Sequence, residues 1–204
     1  MKQQPLEQKA KEFATWAHEG QLRKDGKARY ITHPAAVVSL LKEAKIKDEK
    51  TLVVGWLHDT IEDSTEKRVT YTLLQRKFGK EIAQDVQQLT RDCSRAEYRL
   101  RIIRANSTVK IVKIADFIHN CQTLNELLPY KTIINKVEDY EFYAGLAKVE
   151  CSNLYKKLQE AIAPWMREQS LTGKVYASNT FVMGKWYSPI VAANGKYWME
   201  DGFD

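Results

Sequence analysis

The sequence predicts an all-α helical bundle carrying a short C-terminal β-hairpin or ribbon, and three observations lead there. Apolar residues recur at helical spacing over most of the chain, glycine and proline punctuate it sparsely, and the composition changes near Gly173. Nine glycines and five prolines in 204 residues, with 44% hydrophobic and 28% charged residues, suit a globular protein built mainly of helices. That length allows one large domain, or a domain with an appendage, and either buries a substantial core.

The elements follow in order. Phe13, Trp16 and Ala17 mark a first helix, Val37, Val38, Leu40 and Leu41 a second, and Leu52, Val53, Trp56 and Leu57 a third. The connection GQLRKDGKARYIT is glycine-bearing and basic. Pro34 suits the first turn of the helix after it, where a missing N–H is harmless, so His33 falls at or beside a helix N-terminus. Further helices are expected at about 70–91, 94–105, 107–126, 132–148 and 149–168, with Gly79 and Pro129 as the clearest breaks. From Gly173 onward, Tyr, Trp, Val and Phe cut by Gly, Asn and Pro give a strand-and-turn composition. The expected division is therefore a helical domain over 1–172 and a β-rich extension over 173–204. The extension reads as a flap packed over helices, with its open strand edges as the alternative route to a partner or a homo-oligomer. Trp186, Tyr187, Tyr197 and Trp198 read as core or interface rather than base-stacking residues.

Several function classes drop out on composition. No apolar stretch approaches the ~20 residues needed to span a bilayer, and the polar start MKQQPLEQKAKEF lacks the apolar centre of a secretory signal. A cytoplasmic protein without a membrane partner is expected. Cys93, Cys121 and Cys151 are odd in number and widely spaced, which reads as buried thiols in a reducing compartment rather than a disulfide framework. The formal charge of +6 is spread along the chain instead of forming a dense arm, so nucleotides suit it as well as nucleic acid does.

Chemistry concentrates in VVGWLHDTIEDS, residues 53–64, where four ionisable groups follow an apolar run. On a continuous helix His58 lies one turn below Glu62, and Asp59 one turn below Asp63, so the four share a polar face. His58 and Asp59 could lean toward one cation at bonds of ~2.0–2.2 Å. Glu62 and Asp63 would then stand near enough to manage the protons of an activated water. The plainer alternative is a solvated acidic helix end. His33 within YITHP, and Asp116 within the otherwise apolar VKIVKIADFIHN, weigh against it. Taken singly, His33 could be a packed or capping imidazole, and Asp116 could simply pair with Lys110 or Lys113. Together with His58 and Asp59 they form a mixed imidazole and carboxylate set suited to Mn, Fe or Zn.

Three blocks in this order, GQLRKDGKARYITHP at 20–34, WLHDTIEDS at 56–64 and VKIADFIHN at 112–120, resemble the HD-domain metal-dependent phosphohydrolases. They are most similar to the alarmone hydrolase branch found in RelA/SpoT proteins and small stand-alone hydrolases, with the resemblance running from residue 10 to about 150. It implies an all-α bundle holding one divalent ion, usually manganese, on His33, His58, Asp59 and Asp116. It implies further that Glu62 and Asp63 activate water and support the leaving group, and that Arg23 and Lys24 contact guanosine and phosphates. Asn120 and, more distantly, Tyr140 are the other substrate contacts it implies. Two departures stand out: Phe117 occupies the place of a usual Arg or Lys, and Ala28-Arg29 that of a small residue and Pro.

The implied activity is Mn²⁺-dependent removal of the 3′-diphosphate from (p)ppGpp or a close relative, releasing pyrophosphate. One alternative keeps the metal and changes the substrate to ppApp, the 2′-phosphate of NADPH, another nucleotide phosphate or a pyrophosphorylated tRNA end. Another is a non-catalytic, antitoxin-like binding module.

Overall fold

Local signals set where the helices begin. The Asp48 carboxylate accepts from the Thr51 backbone N–H and hydroxyl at 2.9 and 2.6 Å, satisfying a free donor at the start of the helix Glu49–Leu57. Thr70 caps Tyr71–Phe78 in the same way, and Ser94 with Glu97 closes a reciprocal capping box on Arg95–Arg104. In a computed structural model, residues 4–24, 26–64, 69–124, 130–171, 180–182, 185–191 and 197–201 are described.

Among these residues run α1 (Leu6–Ala17), α2 (Thr32–Glu43), α3 (Glu49–Leu57), α4 (Thr60–Asp63), α5 (Tyr71–Phe78), α6 (Lys80–Leu89), α7 (Arg95–Arg104), α8 (Ser107–Gln122), α9 (Tyr130–Glu150) and α10 (Ser152–Leu171). Strands β1 (Thr180–Val182), β2 (Lys185–Val191) and β3 (Tyr197–Asp201) follow. The chain divides into two compact units, Met1–His119 and Asn120–Asp204, with α8 running through the boundary.

In the first unit α1, α2 and α6 pack on α3, and α4, α5 and α7 pack on α6. Every residue of α3 from Thr51 to Leu57 is buried, as its near-continuous apolar sequence requires. Each fully buried Val or Leu there contributes roughly 1.5–3 kcal/mol of transfer free energy. Gly55 sets how closely α2 approaches. A Cβ at that position would lie 3.0 Å from Leu41 Cδ1 and 3.1 Å from Val38 Cγ2.

Two sequence expectations are revised in this unit. The stretch 70–91 is two helices, because Gly79 turns the chain at φ +90°, a conformation that side-chain-bearing residues rarely adopt. Nor does the apolar helix run on through the acidic cluster. It stops at Leu57, whose carbonyl accepts from the Thr60 hydroxyl at 2.7 Å, and the chain starts again as the single turn of α4.

In the second unit α9 packs on α10 around Phe142, Ala147, Leu154, Leu158 and Ile162, all buried. Strands β1, β2 and β3 pair antiparallel in that order, with Phe181 opposite Trp186 and Ile190 opposite Trp198. Of the three cysteines only Cys121 is buried; Cys93 and Cys151 are half-buried, which corrects the expectation for those two. Among the described residues no helix is long and apolar enough to cross a membrane.

Candidate functional site

Four side chains expected to meet do meet, and each arrives from an element end or a buried helix face. His33 is the second residue of α2, positioned by the loop before it, where Leu22 and Arg29 bridge and Gly26 turns at φ +68°. His58 and Asp59 occupy the turn between α3 and α4, and Asp116 lies on α8. His33 Nε2 stands 3.1 Å from Asp116 Oδ1, 3.3 Å from Asp59 Oδ2 and 3.2 Å from His58 Nε2. His58 Nε2 stands 3.2 Å from Asp59 Oδ1 and 3.9 Å from Asp116 Oδ1.

Ligands on one ion at bonds of ~2.1 Å are separated by ~3.0–3.5 Å at tetrahedral to octahedral angles. Four of the five spacings match that requirement and His58–Asp116, at 3.9 Å, is wider; His33, His58 and Asp59 form a compact candidate metal cluster among the described residues. The donor chemistry fits as well: His58 Nδ1 lies 2.9 Å from the Gly55 carbonyl. A proton on that nitrogen leaves the Nε2 lone pair facing the cluster.

Electrostatics reinforce the geometry. His58 is buried, which alone would lower its pKa, but the Asp59 and Asp116 charges outweigh burial and lift it to about 9. Asp59 and Asp116 are held well below the ordinary aspartate range: burial opposes the shift, His58 leads it for Asp59, and Lys113 leads it for Asp116. With its pKa that high, His58 carries a proton on Nε2 at neutral pH, and a cation bound between the ionised carboxylates would displace it and free the lone pair.

Asp116 pairs with a lysine and also faces the cluster. Its Oδ2 accepts from Lys113 Nζ at 2.7 Å while its Oδ1 faces the two histidines. The ion pair therefore leaves one oxygen available to the cluster.

Glu62 and Asp63 sit on α4 but face different partners. Glu62 is exposed overall, and its Oε2 accepts from the Arg91 backbone N–H at 2.8 Å. Its pKa is raised, chiefly by partial burial of the carboxylate and then by the Asp59 and Asp63 charges, against the Arg91 backbone hydrogen bond and the Lys113 charge. Asp63 Oδ2 accepts from the Tyr30 hydroxyl. In the loop, Arg23 places its guanidinium 5.4 Å from the centre of the Tyr30 ring, and Lys24 is exposed. Asn120 and Tyr140 are half-buried and belong to the second unit. Phe117 is buried at 2% exposure, so the position that departs from the family pattern is a core residue here.

Three contributors were missed in the sequence. His119 Nδ1 lies 2.7 Å from His33 Nδ1, and burial followed by the His33 and Arg23 charges lowers its pKa to about 4, keeping it neutral. A neutral His119 can accept a proton-bearing Nδ1 of His33, leaving the His33 Nε2 lone pair for the cluster. His119 follows Asp116 by three residues, and that helical spacing was the available signal. Tyr30 donates to Asp59 Oδ2 at 2.8 Å, and buried His18 stacks on its ring with centroids 4.5 Å apart. Neither stands in a pattern that sequence alone ties to the acids.

Residues 10–149 match the protein family described as HD domain. The chain belongs to the HD-domain family. Curated relatives of this HD domain include a guanosine-3′,5′-bis(diphosphate) 3′-pyrophosphohydrolase of Spiroplasma citri, 36% identical over 152 residues, or 69% of this chain and 20% of that one. The bifunctional (p)ppGpp synthase/hydrolase SpoT of Escherichia coli K12 is 37% identical over 143 residues, covering 64% of this chain and 20% of SpoT. The chain thus spans about a fifth of the length of these relatives. A solved structure described as a metazoan ortholog of SpoT that hydrolyzes ppGpp superposes with a TM-score of 0.66 at 21% identity, over 80% of this chain and 97% of that chain. At that identity the superposition supports the HD-domain fold.

Proposed function

We propose that the protein is a Mn²⁺-dependent hydrolase that removes the 3′-diphosphate from (p)ppGpp or a closely related nucleotide. The observation that carries the reading is the meeting of His33, His58, Asp59 and Asp116 within 3.1–3.9 Å beside Glu62 and Asp63. The relatives named for ppGpp 3′-pyrophosphohydrolysis match over the same stretch of chain.

In this reading the four residues hold one divalent ion, with manganese the expected metal and other transition ions suited to the same donors. Such an ion supplies Lewis acidity toward water and phosphate. Glu62, with its raised pKa, takes a proton from the attacking water, whose oxygen bonds to phosphorus as the 3′ O–P bond breaks, and that proton passes on to the departing 3′ oxygen. The products are pyrophosphate with GDP from ppGpp, or with GTP from pppGpp. Arg23 and Lys24 hold the nucleotide from the loop, with Asn120 and Tyr140 as further contacts. Positioning and neutralisation of phosphate charge supply most of the acceleration. The helical body is assigned to 1–172 and the extension to 173–204, the extension being an appendage to the hydrolase and a candidate surface for self-association. A cytoplasmic setting, where nucleotide substrates occur, suits the proposal.

Pyrophosphate release from ppGpp with Mn²⁺, compared between wild type and Asp59→Ala, tests it. The proposal requires release in wild type and loss in the variant. Equal rates would remove the site. A panel including ppApp, NADPH and a tRNA end then locates the preferred substrate.

A further inference from the structure

The Tyr30 hydroxyl stands where two carboxylates converge. It is 2.8 Å from Asp59 Oδ2 and makes a short contact with Asp63 Oδ2. Asp59 Oδ2 is also the oxygen 3.3 Å from His33 Nε2, so it faces the candidate ligand cluster. A phenol carries one proton and can satisfy one of these acceptors fully at a time.

The ring is held firmly for this task. The Tyr30 backbone N–H donates to the Gln21 carbonyl at 2.9 Å, and the ring stacks on His18 at an interplanar angle of 22°. His18 Nδ1 pairs with Gln21 Oε1 at 2.7 Å, and Gln21 Nε2 donates to the Asp63 backbone carbonyl at 2.5 Å. Tyr30, His18, Gln21 and Asp63 therefore form a closed circuit that fixes the hydroxyl relative to α4. The Arg23 guanidinium lies 5.4 Å from the same ring, so the circuit also touches the loop assigned to the nucleotide.

We infer that Tyr30 is a positioning residue that couples ion binding to the orientation of Asp63: a cation drawing on Asp59 Oδ2 leaves the phenolic proton to Asp63. The inference rests on the reading above that Asp59 is a ligand. A hydroxyl that merely fills space would leave ion affinity untouched, whereas a coupling hydroxyl changes affinity and turnover together. Residues that orient metal ligands in this way typically change affinity or activity by about 10- to 100-fold when removed.

Tyr30→Phe keeps the ring and its stack and deletes only the hydroxyl. In calorimetric titration of the full chain with Mn²⁺, the variant is expected to bind about 10-fold or more tightly than wild type, because the ion no longer displaces a hydroxyl from Asp59, with kcat on ppGpp reduced and KM within about twofold. Asp63→Asn combined with Tyr30→Phe should lose less kcat than the two single losses added, because both act through one bond. A variant that binds Mn²⁺ more weakly, one whose Mn²⁺ affinity and kcat stay within about twofold of wild type, or kcat losses that add fully, would overturn the role of Tyr30. Wild type that takes up no Mn²⁺ refutes the ion-site reading and this inference with it, which separates the two failures. A second readout does not depend on folding of the Phe variant. The ¹⁹F resonance of 3-fluorotyrosine placed at position 30 should move on addition of Zn²⁺ in the wild-type background and stay fixed in Asp59→Ala. A resonance indifferent to saturating Zn²⁺ in both backgrounds overturns the coupling.

Discussion

Gly55→Ala probes the geometry behind the site without touching any proposed ligand. An added methyl would sit 3.0 Å from Leu41 Cδ1 and 3.1 Å from Val38 Cγ2, closer than ordinary carbon contacts of ~3.5–4.0 Å. Leu41 is 0% and Val38 2% exposed, so neither can swing aside into solvent. Overpacking of this kind costs about 1–3 kcal/mol. Replacing a mid-helix glycine by alanine returns about 0.5–1 kcal/mol through helix propensity. At the midpoints of these ranges the net loss is about 1.25 kcal/mol, which at about 2–4 °C per kcal/mol for a chain of this size lowers Tm by roughly 2.5–5 °C. The same strain parts α2 from α3, which carry His33 and lead into His58, and the Gly55 carbonyl itself holds His58 Nδ1. Weaker Mn²⁺ binding should accompany the fall in Tm. Differential scanning calorimetry and metal titration read both effects. A variant with Tm equal to or above wild type would show that helix propensity wins, and that the α2–α3 contact has slack that the stated distances deny.

Other outcomes follow from the same contacts. His119→Ala removes the partner of His33 Nδ1 and should weaken Mn²⁺ binding about 10- to 100-fold, measured by titration, while His119→Asn, which can still offer an acceptor, should recover part of the loss. Glu62→Gln should retain the ion and lower kcat by about 10²- to 10⁴-fold in the pyrophosphate-release assay, as expected for loss of a proton acceptor. Asp48→Asn should flatten the acid limb of stability. The Asp48 pKa is lowered by the Thr51 hydroxyl and backbone N–H, so its contribution is complete above the ordinary aspartate value and is lost as pH falls through the depressed one. Asparagine still caps α3 but does not titrate. Tm followed between about pH 5 and 2 should therefore decline less steeply in the variant.

The helical body was legible because burial of one face imposes a period, which α2 shows in Val37, Val38 and Leu41, while α3 stood out as a near-continuous apolar run. His33 and Asp116 were legible because a polar residue beside proline at a helix start, or an acid in a buried helix, demands a partner, and the structure supplies one for each. Where α3 ends was not legible. Thr60 closes it through a side-chain bond to the Leu57 carbonyl, and nothing in the apolar period announces that choice. Tyr30 and Gln21 were hidden for another reason: their partners Asp59 and Asp63 lie about 30–45 residues away, and only the folded loop, with His18 stacked on Tyr30, brings them together. Sequence showed the acids but not the hydroxyl between them.

The account stands on one shared ion. Protein purified, stripped with chelator and dialysed against Mn²⁺ can be assayed by elemental analysis for metal per chain, in wild type and in His33→Ala, Asp59→Ala and Asp116→Ala. The account predicts close to one equivalent in wild type and a sharp loss in each variant that remains folded by circular dichroism. Wild type without bound metal, or folded variants that retain a full equivalent, would contradict it.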